Sequence, residues 1–218
     1  MAQVFHPASN SLARFTFYGG AFVVGAIIWA SVLFVRSGFN TGVGNPLSQP
    51  VPFSHEHHVA GLGLDCRYCH TSVEDSSYAG MPPTSTCMTC HSQVWKDSPV
   101  LAPVRQSLAQ DQPLQWNRVY VLPGFVYFDH SVHVQHGVGC ATCHGPVDQM
   151  PLTYKAEEVT MSWCLTCHKD PAPNLRPEDQ VFNMAYQTPP NQAELGRQLM
   201  QQYHIDTSVL TDCSTCHR

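Results

Sequence analysis

Cys66-Arg67-Tyr68-Cys69-His70 is the first of five copies of one pattern, and its reading decides the fold. The others are Cys87-Met88-Thr89-Cys90-His91, Cys140-Ala141-Thr142-Cys143-His144, Cys164-Leu165-Thr166-Cys167-His168 and Cys213-Ser214-Thr215-Cys216-His217. Two cysteines three apart share one face of a helical turn, and the next residue projects an imidazole beside them. C-x-x-C-H is the attachment pattern of c-type haem, with two thioethers to the porphyrin and the histidine as proximal iron ligand. Zinc knuckles also use C-x-x-C, but they need no histidine after every second cysteine. Structural disulfides would need cysteines free for longer links, and all 10 are used in the motifs. The expected cofactor content is five covalently bound haem c, with His70, His91, His144, His168 and His217 on the irons.

About 165 residues follow Val51-Pro52, roughly 33 per haem, too few for a separate apolar core around each. The expected fold is a multihaem cytochrome c, mostly loops and short helices wrapped around the porphyrins. A formal charge of −5, made more negative by haem propionates, argues against nucleic acid as a partner.

Haem is attached outside the bacterial cytoplasmic membrane, so the chain must carry an export signal. Phe15 to Val35 is an uncharged run of 21 residues between Arg14 and Arg36. At about 1.5 Å per residue it spans about 30 Å, the thickness of a bilayer's hydrocarbon core. It is too long for a signal-peptide core, and no small-x-small cleavage site follows. The expected layout is a cytoplasmic N-terminus (1–14), a single transmembrane anchor (15–35), a Gly/Pro/Ser/Asn-rich linker (36–52) and a periplasmic haem domain (53–218) on the inner membrane. Ala21 with Gly25, and Ala26 with Ala30, give the anchor a small-residue face for a partner helix.

The haem domain contains a duplication. Phe53-Ser54-His55-Glu56-His57-His58 precedes Cys66 as Phe128-Asp129-His130-Ser131-Val132-His133 precedes Cys140. Each half continues with Met-Pro (Met81-Pro82, Met150-Pro151) and a second C-x-x-C-H. Residues 53–91 and 128–168 are therefore read as two dihaem modules, with a fifth-haem segment at 169–218. Histidines three apart on a helical face diverge enough to reach neighbouring irons, so His55, His58, His130 and His133 are the candidate distal ligands. Of the remaining histidines His6 lies before the anchor; His57, His136 and His204 stay open for the fifth haem, as does Met184, whose thioether would raise the potential. His57 and Met184 are the leading pair. An extended strand is expected near 118–122, and a packing helix from Asn191 to about Tyr203, with Asn191 and Glu194 as a capping box. Leu195, Leu199 and Tyr203 would form its apolar stripe.

Phe53-Ser54-His55, Met81-Pro82-Pro83-Thr84, Phe125-Val126-Tyr127-Phe128, Met161-Ser162-Trp163-Cys164 and Cys213-Ser214-Thr215-Cys216-His217-Arg218 resemble the pentahaem cytochrome c subunits of bacterial alternative complex III. The likeness covers nearly the whole chain. It implies an electron-relay subunit of a respiratory quinol:electron-acceptor oxidoreductase, not catalytic alone. Implied partners are a polytopic quinol-binding subunit, an iron–sulfur subunit and a monohaem cytochrome, with a periplasmic carrier or terminal oxidase as acceptor. The alternative is a stand-alone membrane-anchored quinol dehydrogenase feeding periplasmic reductases. A haem-active-site reductase is a weaker third class, because pentahaem nitrite reductases carry C-x-x-C-K at the open iron and all five motifs here end in His.

Overall fold

The computed structural model describes residues 5–217, so Met1–Val4 and Arg218, including the last residue of the terminal block quoted above, lie outside the described residues. The chain forms two compact units, one ending at Val43 and one beginning at Gly44.

The first unit is dominated by helix α1, Ala8–Arg36, 29 residues without a buried side chain. It begins before the uncharged run because nothing in Ala8–Arg14 breaks a helix. Its apolar side chains, including Phe15, Phe22 and Trp29, all point outward, as a lipid-facing helix requires. The one hydroxyl in its second half is satisfied within the helix, Ser31 Oγ donating to the Ile27 carbonyl at 2.8 Å. Ser37 then turns extended and its Oγ donates to the Phe34 carbonyl, and a single turn, α2 (Gly38–Thr41), ends on Gly42 in the left-handed region. This helix is long and apolar enough to serve as a single membrane anchor.

In the second unit every C-x-x-C-H opens or lies within a short helix: α3 (Cys66–Cys69), α4 (Thr84–His91), α7 (Cys140–His144), α8 (Met161–Lys169) and α10 (Cys213–Cys216). Three more α-helices fill the intervals: α5 (Ala102–Gln110), α6 (His130–Gln135) and α9 (Gln192–Gln202). Asp65 caps α3 through the Arg67 N–H, and Thr160 caps α8 through that of Trp163. The two F-x-H-x-x-H elements wind differently. His130 opens α6 under an Asp129 cap, whereas Glu56–Gly61 forms a π-helical turn.

Among the described residues only isolated bridges pair extended backbone: Pro46 with Tyr154, Val126 with His217 and Val138 with Leu175. The strand expected near 118–122 is therefore irregular chain. Tyr120 is held there by its phenol, not by a ladder: it donates to the Cys143 carbonyl (2.7 Å) and accepts from the Ala156 N–H (2.8 Å). Part of the stretch read as a linker is packed. Gly44 and Leu47 donate to the Lys155 and Thr153 carbonyls, the Gln49 side-chain amide donates to the Asn117 carbonyl and accepts from its N–H, and Val51 is buried against Leu101 and Val104.

Helix α9 lies within the expected limits, but the capping box does not form. Asn191 makes no side-chain cap, and Glu194 instead accepts from Arg197 (2.8 Å) and Gln198 (3.1 Å). Gln192 anchors the start by donating to the Ala172 and Leu175 carbonyls. Leu199 is buried, with Leu195 and Tyr203 half-buried beside it. The closest approach is at Gly196, where a Cβ would run into the Ala172 carbonyl.

Buried apolar side chains are few, ten among the described residues, in small clusters such as Val51–Leu101–Val104 and Val73–Val134–Val181. The polypeptide exposes 14794 Å², against roughly 10,000 Å² for a compact chain of its mass. Part of the excess is α1; much of the rest surrounds the motifs, where Tyr68, Tyr78, Trp95, Phe125 and Met161 stay exposed. Gly196→Ala should push α9 off its seat and cost about 1–3 kcal/mol. A lowered denaturation midpoint in the haem-loaded protein checks this; an unchanged one would contradict the close approach.

Candidate functional site

Each motif helix holds its histidine one turn beyond the first cysteine: His70 N–H and His217 N–H donate to the Cys66 and Cys213 carbonyls at 2.9 and 2.8 Å. None of the ten cysteines is in a disulfide. Imidazole orientation is then fixed by the other ring nitrogen. The Nδ1 atoms of His70, His91, His168 and His217 lie 2.7, 3.0, 2.9 and 3.2 Å from the carbonyls of Gly80, Val94, Leu210 and Phe125. A carbonyl can only accept, so Nδ1 carries the proton and Nε2 keeps a free lone pair. That is the arrangement of a metal-ligating histidine whose far nitrogen is tied down by the protein.

The F-x-H-x-x-H histidines are prepared in the same way. His58 Nδ1 meets the Ser54 carbonyl (2.7 Å), His133 Nδ1 that of Asp129 (2.7 Å), His130 Nδ1 that of Ser77 (2.8 Å), and His55 Nδ1 the Thr153 hydroxyl (3.0 Å). In both copies the phenylalanine stacks on the second histidine and meets the first edge-on: Phe53 at 4.5 Å from His58 and 4.9 Å from His55, Phe128 at 4.6 Å from His133 and 4.8 Å from His130.

These rings face the motif histidines at a telling separation. A metal–imidazole bond is about 2.0–2.1 Å, so two imidazoles on opposite sides of one ion have centroids roughly 6.3 Å apart. The centroids of His58 and His91 are 6.2 Å apart, those of His130 and His144 6.4 Å, and those of His133 and His168 6.1 Å. His70 is the ionisable group that acts most strongly on His55. Among the described residues no three His, Cys, Asp or Glu side chains converge as a bare ion would need. Two axial imidazoles with four equatorial positions supplied by a porphyrin fit this donor set; a four-ligand zinc site does not.

Comparison with known proteins agrees. The family model for cytochrome c7 and related cytochrome c matches residues 51–106 and 126–218. The chain belongs to that family. It is similar to the multihaem cytochrome c subunit of menaquinone reductase from Nitratidesulfovibrio vulgaris, 32% identical over 213 residues, 96% of this chain and 87% of that protein. A shorter likeness, 33% identical over 81 residues, links 30% of the chain to 16% of cytochrome c-552 from Desulfotalea psychrophila. The protein is thus a multihaem c-type cytochrome, a family whose cofactor is covalent c-type haem.

The electrostatics of this cytochrome suit neutral imidazole, the form that binds iron. Burial pushes His55 and His144 down to about 4, with help from His70 and His130 respectively. Burial also lowers His133. Burial, then the neighbouring Cys167 and Cys164, pushes the Cys143 thiol up to about 12.

Three features escaped the sequence reading. Tyr120 ties the motif-three backbone to Ala156 and lies 4.8 Å from the His144 ring. Thr153 and Ser77 orient His55 and His130 from positions 98 and 53 residues away, and no local pattern signals a hydroxyl or a carbonyl with such a task. The fifth-ligand candidates are found elsewhere than expected. His57 stacks on Trp95 (6.4 Å) and abuts His58 (5.4 Å), at motif two. Met184 is half-buried two residues past Phe182, whose ring lies 4.5 Å under Arg67, at motif one.

Replacing His55, His58, His130 or His133 by alanine should each remove one imidazole from one haem. The expected readout is one low-spin haem turning high-spin and binding carbon monoxide when reduced. Four variants with unaltered spectra would overturn the ligand assignment.

Proposed function

We propose that the chain is a membrane-anchored pentahaem relay, carrying electrons between a quinone-reactive membrane subunit and an acceptor outside the cytoplasmic membrane. The observation that supports this best is the set of facing imidazole pairs, 6.1–6.4 Å between centroids, with their Nδ1 atoms tied to the protein. Two axial imidazoles at each of the first four haems leave no iron position there for substrate, which favours electron transfer over haem catalysis. In this reading Cys66 and Cys69, Cys87 and Cys90, Cys140 and Cys143, Cys164 and Cys167, and Cys213 and Cys216 attach five haems. His70, His91, His144, His168 and His217 are the proximal ligands, with His55, His58, His130 and His133 distal on the first four.

A bound c-type haem supplies one-electron ferric/ferrous chemistry. The protein's own work is to hold each imidazole aimed, to bring successive sites together, and to exclude water with Phe53, Phe128 and Tyr120. Such a relay conducts either way, so the proteins at its ends set the direction.

Helix α1 supplies the anchor and its small-residue face supports a helix partner. That a similar protein is one subunit of a menaquinone reductase favours a multisubunit complex over a stand-alone dehydrogenase. With the sequence blocks quoted above, we assign the chain to an alternative-complex-III-type quinol:acceptor oxidoreductase in the inner membrane. Its haem domain is periplasmic, and its partners are a polytopic quinol-binding subunit, an iron–sulfur subunit and a monohaem cytochrome.

Intact-mass measurement of the mature protein should show the mass of five haems above the polypeptide; four or fewer would refute the pentahaem reading. Extraction in mild detergent should recover the chain with a multi-span partner, and the complex should exchange electrons with a menaquinone analogue. Recovery only as a monomer that oxidises quinol unaided would establish the stand-alone dehydrogenase instead.

A further inference from the structure

The duplicated halves meet in an arrangement that tandem order does not require. Cys66 and Cys140 occupy the same position of the two repeats, and their side chains adjoin one another. A residue touches its own equivalent only close to a two-fold axis. The surrounding bonds are reciprocal as well. The N–H of Glu56 donates to the Met150 carbonyl of the second module, and that of Ser131, its equivalent 75 residues on, donates to the Ser76 carbonyl of the first. His55 is oriented by Thr153 of the second module, and His130 by Ser77 of the first. Each half holds the other's first distal histidine.

The remaining neighbours follow from this junction. Motif one touches motif two through Tyr68 Oη and Thr89 Oγ1 at 3.0 Å, and His58, from the element before motif one, faces His91. Motif three is tied to motif four through His133, which faces His168. Motif four is tied to the fifth segment, His168 Nδ1 resting on the Leu210 carbonyl.

We infer that the two dihaem modules join by their first haems about a pseudo-two-fold axis, so that the haem sites run in space as two, one, three, four, five. The ends of the relay are then motif two, beside His57 and Trp95, and motif five, beside Phe125. Cys66 and Cys140 mark the middle crossing. The fold places motif one, first in the chain, inside the relay. Electrons enter and leave at Cys87–His91 and Cys213–His217. This inference rests on the pentahaem relay reading but makes a separate claim about connectivity.

The test is a haem-resolved redox titration by NMR on the full-length, haem-loaded protein with single distal ligands changed to methionine, which raises one haem's potential. A haem with two neighbours shifts the titration midpoints of both; a terminal haem shifts one. His55→Met, at haem one, should move two other haems, and His58→Met, at haem two, should move one. The reverse pattern, one for His55→Met and two for His58→Met, would establish chain order and overturn the proposal. If a variant fails to mature, the unaltered protein answers the same question. Through-space cross-peaks between haem methyls of sites one and three are expected, and cross-peaks between sites two and three in their place would overturn it. Haem mass on the same sample reports separately on the pentahaem reading, so failure of one is distinguishable from failure of the other.

Discussion

An imidazole has two nitrogens, and this fold depends on spending one of them on the protein. Seven of the nine histidines in the C-x-x-C-H motifs and the two F-x-H-x-x-H elements place Nδ1 on a backbone carbonyl. An eighth, His55, uses a threonine hydroxyl. Each bond selects a tautomer, aims a lone pair and stops the ring from turning. His144 is the exception; it is confined by the Tyr120 ring and by its own motif helix. The carbonyls come from loops whose backbone lacks regular partners, so irregular chain is here the positioning material.

The same economy explains the sparse core. A segment per haem this short closes on the cofactor instead of on itself. Val51, Leu101 and Val104, or Val73, Val134 and Val181, are clips between loops, too small to fold a domain alone. Exposed Tyr68, Trp95 and Phe125 stand around the motifs, where porphyrin edges need apolar neighbours. The family's short helices each do little more than present two thiols and a ring.

The C-x-x-C-H pattern stands out in a sequence because covalent haem chemistry demands fixed spacing, and the long apolar helix because a bilayer demands length and apolarity. The duplication could be read from Phe53 and Phe128 and their matched histidines, and the identical ring geometry of the two copies shows why the phenylalanine recurs: it wedges both imidazoles. Illegible parts depend on distant backbone. Nothing around Thr153 announces His55, and Val119-Tyr120-Val121-Leu122 looks like a strand because its alternation resembles one, although the phenol of Tyr120 decides its path. Glu194 misled for a related reason: Arg197 and Gln198 on the exposed face of α9 compete for its carboxylate. His57 and Met184 were counted as candidate ligands by type; the structure sets His57 beside His58 and Trp95, and leaves Met184 half-buried two residues past Phe182.

The bond between His55 and Thr153 spans 98 residues, and this sets a timetable for assembly. In the proposed layout the part of the chain nearest the anchor is exported first, so Cys66 and Cys69 reach the far side before Thr153. A haem joined to them on arrival would meet an unsteered His55, with His57 and His58 two and three residues away as rivals. In that reading, coordination at the first motif is settled only once the second half of the protein is in place.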